Sequence, residues 1–340
     1  MKKEVFKNIL ICRTDHIGDV VLTLPLAGIL KANYPDCNIA FLISNYTEGI
    51  VKKSVFVDEI ILYEDLQKLE WKDQKECLKK FDVCLHVFPK IDIVRLIYKV
   101  NIPIRIGSSR RWFNWIYCNK LVNIKRKRSP LHEAQLNAKI LKPFVTRTEY
   151  SLSELSEFQG LKASNNIPDH IKVLLKPDHF KLILHPLSHG NSRNWALENF
   201  VNLASELTRQ DLQIIITGSP KEKLSLDPLF AQLNDKILNL SGRLNLDEFV
   251  DLIQYCDGMV VNATGPMHVA AAFGKRVIGL FIPYYTMHPS RWGPVGKHAE
   301  YIMMEESCNG CKNDESCLCI KKIVVNEVIR RLEQWEEFPK

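Results

Sequence analysis

The feature that most constrains the fold of this chain is a repeated alternation of short apolar runs with amphipathic stretches. Each apolar run ends at a polar or glycine-containing loop, and an apolar pattern with a helical period follows the loop. Asn8 to Cys12, for example, precedes the loop 13–18 and then a helical face made of Val20, Val21, Leu24, Ala27 and Leu30. This alternation predicts an α/β fold with parallel sheets.

The alternation occurs in two halves, separated by a stretch of weak periodicity at 164–178. A chain of 340 residues also exceeds the roughly 250 to 300 at which a single core stops growing. We predict two doubly wound, Rossmann-like domains at 1–170 and 178–322 that face a central cleft. An amphipathic helix within 323–340 is expected to pack back on the first domain. The further predicted strands are 38–44, 82–87, 104–107, 181–184, 212–217, 237–240, 258–261 and 276–281.

The basic charge of the chain is concentrated between Lys90 and Arg128. This stretch holds eleven basic residues and the single acid Asp92, a net charge of +10, whereas the whole chain has a net charge of +7. Aromatic residues lie among the cations, a mixture that suits an anionic lipid surface, a phosphorylated substrate or nucleic acid. The alternative interpretation is a solvated face with buried aromatic side chains.

The chain lacks the signals of export and membrane insertion. Its first apolar run stops at Arg13, too early for a signal peptide, and no run approaches the ~18 residues of a membrane span. We therefore expect a cytoplasmic protein whose ten cysteines are thiols or metal ligands. The spacing of four of them suits a structural Zn²⁺, and free or redox-active thiols are the alternative. These four are Cys308, Cys311, Cys317 and Cys319.

Residues 262–268 follow a predicted strand and open a predicted helix. Gly265 permits close approach of a ligand, Pro266 suits a first helical turn, and the unpaired N–H groups there favour a phosphate. Thr264 can donate its hydroxyl to the same anion. The alternatives are a plain turn capped by Thr264 and, for His268, a packed core histidine rather than a phosphate ligand.

Two further polar loops lie after predicted strands. Asp15 and Asp19 can supply a general base for an attacking hydroxyl, or one of them can cap the following helix. The loop from Ser188 to Arg193 offers hydroxyls, amides and a cation for a diphosphate, or is a structural surface loop. The sequence lacks the glycine signatures of dinucleotide-binding, P-loop and α/β-hydrolase enzymes.

Two motifs give the chain a resemblance to a known family. The segment from Arg13 to Pro25, RTDHIGDVVLTLP, matches one signature, and Asn262 through Ala272 with Gly274 matches a second. His132-Glu133 lies between them. The sequence resembles glycosyltransferase family 9, the ADP-heptose:lipopolysaccharide heptosyltransferases, over almost its whole length.

The resemblance implies a GT-B fold whose amino-terminal domain holds the acceptor and whose carboxyl-terminal domain holds the nucleotide sugar. It also implies metal-independent, inverting transfer with Asp19 as the general base. Arg193 then binds the donor phosphates and Glu222 the nucleoside. The complete expected donor site is Ser188, Arg193, Glu222, Asn262, Thr264, Gly265, Pro266 and His268.

The expected acceptor is a lipid-linked or phosphorylated glycan at the inner face of the cytoplasmic membrane. We expect it to contact Asp15, Arg110, Arg111 and His132, and we expect no nucleic-acid partner. Catalysis requires no cofactor, and the one expected metal is the structural zinc of the cysteine cluster. Ala263 departs from the family pattern, because many members carry there an acid that contacts the donor sugar.

Two other functions fit parts of the sequence. A GT-B nucleotide-sugar epimerase has the same architecture and needs no acceptor. A non-catalytic protein of another class would use the basic stretch and the cysteine cluster to bind anionic lipid or nucleic acid. Turnover of a nucleotide sugar that requires an acceptor separates the transferase from both.

Overall fold

The computed structural model describes residues 6–163, 167–188, 193–207, 209–233, 237–305 and 318–339. The chain divides into two compact units, Met1–Lys162 and Ala163–Lys340. The strands of the first unit are β1 (Asn8–Cys12), β2 (Asn38–Ile43), β3 (Glu59–Leu62), β4 (Val83–His86), β5 (Ile104–Ser108) and β6 (Lys120–Val122). Those of the second are β7 (Phe180–His185), β8 (Leu212–Ile216), β9 (Ile237–Asn239), β10 (Gly258–Asn262), β11 (Arg276–Phe281) and β12 (Ala299–Met303).

Helices connect the strands in both units. In the first unit they are α1 (Ile17–Val21), α2 (Pro25–Asn33), α3 (Glu48–Val51), α4 (Tyr63–Lys68), α5 (Trp71–Leu78), α6 (Ile91–Val100), α7 (Asn114–Tyr117), α8 (Glu133–Ala138) and α9 (Leu152–Glu157). In the second they are α10 (Asp169–Lys172), α11 (Leu197–Glu206), α12 (Lys223–Phe230), α13 (Leu246–Tyr255), α14 (Gly265–Ala272), α15 (Pro289–Trp292), α16 (Leu318–Lys321) and α17 (Val325–Glu333). Every helix in the described ranges is too short or too polar to cross a bilayer.

Each unit contains one six-stranded parallel sheet with doubly wound topology. The strand orders are β3-β2-β1-β4-β5-β6 and β12-β11-β10-β7-β8-β9. Each order reverses once, between β1 and β4 in the first sheet and between β7 and β10 in the second. These reversals are the points at which open α/β sheets bind ligands. The topology confirms the predicted α/β class and its two Rossmann-like sheets.

The helical pattern after β1 is divided between two helices. α1 ends at Val21, and α2 begins with Pro25 at its first position. Proline has no N–H and fits the first turn of a helix, whereas in a helix interior it removes a hydrogen bond and clashes with the preceding turn. The proline therefore divides the predicted single helix.

The last helix belongs to the core of the second unit. Val328 and Leu332 of α17, with Trp335 and Phe338 beyond it, are buried together with residues of α11 and β7. The indole of Trp335 also donates a hydrogen bond of 3.1 Å to Glu300 of β12. The sequence predicts that 323–340 packs on the first domain; within the second unit, these apolar side chains complete the hydrophobic core.

Candidate active site

The first group of functional side chains surrounds the strand reversal of the first sheet. Arg13 directly follows β1, and Phe88 lies two residues beyond the end of β4. Cys12 and His86, the final residues of these two strands, are partners in the parallel ladder. The loops that leave β1 and β4 are therefore neighbours, as the topology requires.

A buried arginine holds the acidic residues of this group. Arg13 is only 2% exposed, and its Nε lies 3.0 Å from Oδ2 of Asp15. A terminal guanidinium nitrogen of Arg13 pairs with Oδ1 of Asp19. Glu133 adds a third carboxylate at 3.8 Å. Loss of Arg13 would therefore leave Asp19 without the cation with which it pairs.

Arg126 supplies a second cation to the same group. It forms an ion pair with Glu133 and donates a hydrogen bond of 3.0 Å to Oδ1 of Asn137. The ring of Phe88 lies 5.3 Å from the guanidinium carbon of Arg13 and 5.9 Å from that of Arg126. We name Arg13, Asp15, Asp19, Phe88, Arg126 and Glu133 the arginine–carboxylate cluster.

Asp19 is a carboxylate of this cluster that is partly exposed and has a raised pKa. Its side chain is 17% exposed. Burial raises the pKa of Asp19, the guanidinium of Arg13 lowers it in part, and the charges of Asp15 and Glu133 raise it further. The net shift is upward from the ordinary value. The N-cap residue of α1 is His16, so neither aspartate takes the capping role that the sequence left open.

The predicted acceptor residues Asp15, Arg110 and Arg111 differ in how they lie relative to the cluster. Asp15 belongs to the cluster, and Arg111 adjoins it with its guanidinium carbon 5.1 Å from the Phe88 ring. Arg110 is directed elsewhere: its Nε donates a hydrogen bond of 2.9 Å to Asn123. The structure therefore brings Asp15 and Arg111 together and leaves Arg110 on the exposed surface.

His132, the fourth predicted acceptor residue, caps α8. It is 1% exposed, and its Nδ1 accepts the N–H of Ala134 at the start of α8. The side chain of Gln135 accepts the N–H of His132, which completes a capping box. Nδ1 of His132 thus takes part in the N-cap of α8. The neighbouring Glu133 is the residue that reaches the cluster.

In the second unit, Asn262 joins two loops at the corresponding strand reversal. Its Oδ1 accepts the N–H of Trp195 at 3.0 Å, and its Nδ2 donates to the carbonyl of Pro186. The side chain is fully buried. Asn262 therefore positions the loop after β7 against the end of β10, and both ends of its amide are used for this purpose.

The turn after β10 leads directly into α14. Thr264 is the N-cap residue, and Gly265 and Pro266 occupy the first two helical positions. The Thr264 hydroxyl makes no capping bond within the described part of the chain, so the alternative of a threonine-capped turn is not observed. Thr264, Gly265 and Pro266 are half-buried, whereas His268 is buried, as a packed core histidine would be.

The loop after β7 is described at its two ends. Ser188 donates a hydrogen bond of 2.7 Å to Oδ1 of Asn194, and Arg193 is half-buried. Residues 189–192 lie outside the described ranges. In the next loop, Oε2 of Glu222 accepts the N–H of Ser219 at 2.7 Å and so holds the turn that precedes α12.

His185, a polar residue that sequence reasoning did not select, ends β7 beside Val261 of β10. Its Nδ1 lies 2.9 Å from the hydroxyl of Thr217, and its ring stacks on Phe249 with a centroid distance of 5.2 Å. The signal in the sequence was a histidine at the last position of a strand, directly before a predicted binding loop.

The predicted zinc cluster at the carboxyl end falls mostly outside the described residues. This applies to Cys308, Cys311 and Cys317. Cys319, in α16, is buried in the hydrophobic core of the second unit.

Comparison with known proteins shows that this chain is a glycosyltransferase. The model of the family described as "Glycosyltransferase family 9 (heptosyltransferase)" matches residues 78–321. Lipopolysaccharide heptosyltransferase 2 of Escherichia coli K12 is 33% identical over 290 residues, which cover 81% of this chain and 83% of that protein. The chain therefore belongs to glycosyltransferase family 9.

Solved structures support the fold. A family 9 glycosyl transferase from Veillonella parvula superimposes with a TM-score of 0.77 at 20% identity, covering 97% of both chains. ADP-heptose LPS heptosyltransferase II of E. coli superimposes with a TM-score of 0.75 at 20% identity, covering 96% of this chain and 97% of that one. These similarities agree with the GT-B architecture implied by the sequence.

Proposed function

We propose that this protein transfers heptose from ADP-heptose to a phosphorylated acceptor in the core of lipopolysaccharide. The names of its relatives support the sugar and the pathway, including a lipopolysaccharide heptosyltransferase that is 33% identical. The observation that carries the proposal is Asp19, a partly exposed carboxylate of raised pKa held against Arg13.

In the proposed reaction, Asp19 accepts the proton of an acceptor hydroxyl. The acceptor oxygen forms a bond to the anomeric carbon while the bond from that carbon to the donor phosphate oxygen breaks. ADP leaves, and the configuration at the anomeric carbon inverts. A raised pKa makes the carboxylate a stronger base than an ordinary aspartate, and the ion pair with Arg13 keeps it oriented.

The donor diphosphate binds at the start of α14. The hydroxyl of Thr264 and the backbone of Gly265 meet its oxygens, and the positive end of the helix favours its charge. Arg193 neutralises the charge that develops on ADP as it leaves, so the transfer requires no metal ion. Ser188 lines the same loop, and Glu222 contacts the nucleoside.

Replacing Arg193 by alanine tests the donor site. We expect ADP affinity to fall about 10- to 150-fold, because a hydrogen bond to a charged group contributes roughly 1.5 to 3 kcal/mol. Arg209→Ala is the matched control, since Arg209 pairs with the exposed Glu333 and should leave ADP affinity unchanged. Isothermal titration with ADP measures both. Equal affinities of Arg193→Ala and the unmodified protein would refute this role.

The acceptor brings the enzyme to the inner face of the cytoplasmic membrane in this proposal. Trp112 and Trp115 are 69% and 67% exposed, and Ile116 is exposed beside them. Arg110, Arg111 and Lys120 are exposed in the same segment. These facts favour a membrane surface over the alternative of buried aromatic residues, because indole rings enter the headgroup region while cations meet anionic lipid.

A vesicle-binding experiment tests this surface. The double substitution Trp112→Ser and Trp115→Ser should weaken binding to phosphatidylglycerol vesicles at least about tenfold, since burying one aromatic side chain contributes roughly 1.5 to 3 kcal/mol. Trp71→Ser removes an exposed tryptophan elsewhere in the same unit and serves as the control. Binding should also weaken as salt rises. Equal binding by all three proteins would exclude a membrane role for this segment.

The cysteine cluster remains part of the proposal as a structural zinc site. Its support is the spacing of Cys308, Cys311, Cys317 and Cys319 in the sequence. The ion would take no part in transfer, because the donor phosphates are neutralised by Arg193 and the start of α14.

A further inference from the structure

Two cysteines and a histidine meet beneath the arginine–carboxylate cluster. Cys12 ends β1, whereas Cys84 and His86 lie on β4, and all three side chains are buried. The two Sγ atoms are 3.4 Å apart, and Nε2 of His86 lies 3.6 Å from Sγ of Cys84. All three candidate ligand atoms lie within 4.8 Å of one another.

These separations match one face of a tetrahedral zinc site. Zinc binds thiolate sulfur at about 2.3 Å and histidine nitrogen at about 2.0 to 2.1 Å, so tetrahedral geometry separates two sulfurs by about 3.8 Å and sulfur from nitrogen by about 3.6 Å. The two measured distances are within a few tenths of an ångström of these values. One ion can therefore contact all three atoms after small side-chain shifts.

His86 supplies the nitrogen of the site. Its Nε2 is the ring atom directed at the sulfur of Cys84. A histidine that binds zinc beside two cysteines needs one ring nitrogen near their sulfurs, so that a single ion can reach all three atoms.

The charges of such a site favour a divalent ion. Two thiolates in a dry core need positive charge, and a dication with two thiolates and a neutral imidazole has no net charge.

We propose that Cys12, Cys84 and His86 bind a structural zinc ion at the strand reversal of the first sheet. Binding releases the two thiol protons to solvent as the zinc–sulfur bonds form. The ion joins β1 to β4 directly before Arg13 and thus fixes the base of the arginine–carboxylate cluster.

Metal analysis tests this site in the full-length protein. The starting variant carries Cys308→Ser, Cys311→Ser and Cys317→Ser, so that the carboxyl-terminal cluster contributes no zinc. After dialysis we expect one zinc per chain. Adding Cys12→Ala should remove it, whereas adding Cys256→Ala, which alters an equally buried cysteine of the second unit, should retain it.

Cobalt spectroscopy guards against loss of metal through misfolding, because it needs no substitution at Cys12, Cys84 or His86. In the starting variant, Co²⁺ should give the absorption of a tetrahedral thiolate complex, and one equivalent of Zn²⁺ should abolish it. A starting variant that holds no zinc and gives no such absorption would overturn the proposal. Retention of zinc by the Cys12→Ala variant, or a Cys12–Cys84 disulfide in the purified starting variant, would overturn it equally.

Discussion

Replacing Asp19 by asparagine should abolish most turnover while leaving ADP affinity unchanged. The substitution preserves the shape of the side chain but removes its ability to accept a proton, and general-base catalysis typically contributes about 100- to 10,000-fold. In the unmodified protein, turnover should fall in acid with a midpoint above the ordinary aspartate pKa, since burial raises the pKa of Asp19. The asparagine variant should lose that acid limb.

A matched control separates loss of the base from loss of an ion pair. Asp58 is a partly exposed carboxylate of the same unit and pairs with Lys31 at 2.7 Å. It lies beside Ile39, near the start of β2, and therefore at the opposite end of the sheet from Asp19. Asp58→Asn should retain turnover. Normal turnover by Asp19→Asn, or an unchanged acid limb, would remove Asp19 from the role of base.

Replacing Arg13 by methionine should have the largest effect on stability. Removing one partner from a buried ion pair typically costs about 3 to 5 kcal/mol, because the remaining charge is left buried without compensation. Here Asp19 would lose the cation with which it pairs, whereas Glu133 keeps Arg126 and Asp15 keeps a more distant contact with Lys90 at 3.6 Å. The loss should shrink as pH falls, since protonation removes the negative charges that Arg13 neutralised. Thermal unfolding at neutral and acid pH measures both effects.

Arg147→Met is the control for this substitution. Arg147 pairs with Glu154 at 2.6 Å, but both side chains are exposed. An exposed pair contributes about 0 to 1 kcal/mol, so the melting temperature should change little. If the two substitutions lowered stability equally, the carboxylates around Arg13 would not need its charge for the stability of the fold.

The central strands of both sheets were predictable from the sequence, but three of the four edge strands were not. β1, β4, β7 and β10 are buried on both faces and read as continuous apolar runs, which is typical of parallel sheets. The missed strands β3, β6 and β12 each lie at an edge. Their side chains are half-buried or exposed apart from one residue in β6 and one in β12, so they lack a continuous apolar run.

Among the site residues, those that local sequence could place also differ from those that long-range contacts bring together. The turn from Thr264 to Pro266 comes shortly after β10, and Asp19 lies in α1, the first helix after β1, so local sequence was enough to place both near strand ends. Glu133 reaches Arg13 from more than a hundred residues along the chain, and Arg126 joins the cluster through Glu133. No local pattern encodes such contacts. For a related reason, an isolated histidine in the sequence gives no sign that it caps a helix, as Nδ1 of His132 does.

The most direct test of the proposed function is transfer itself. The purified protein is incubated with ADP-heptose and with lipopolysaccharide from a strain unable to add heptose to its core, and the acceptor is analysed by mass spectrometry. We predict the mass of one added heptose per acceptor and an equal amount of ADP, with no product when the acceptor is omitted. Failure to add heptose to any such core acceptor, by protein that binds ADP normally, would contradict the proposed function.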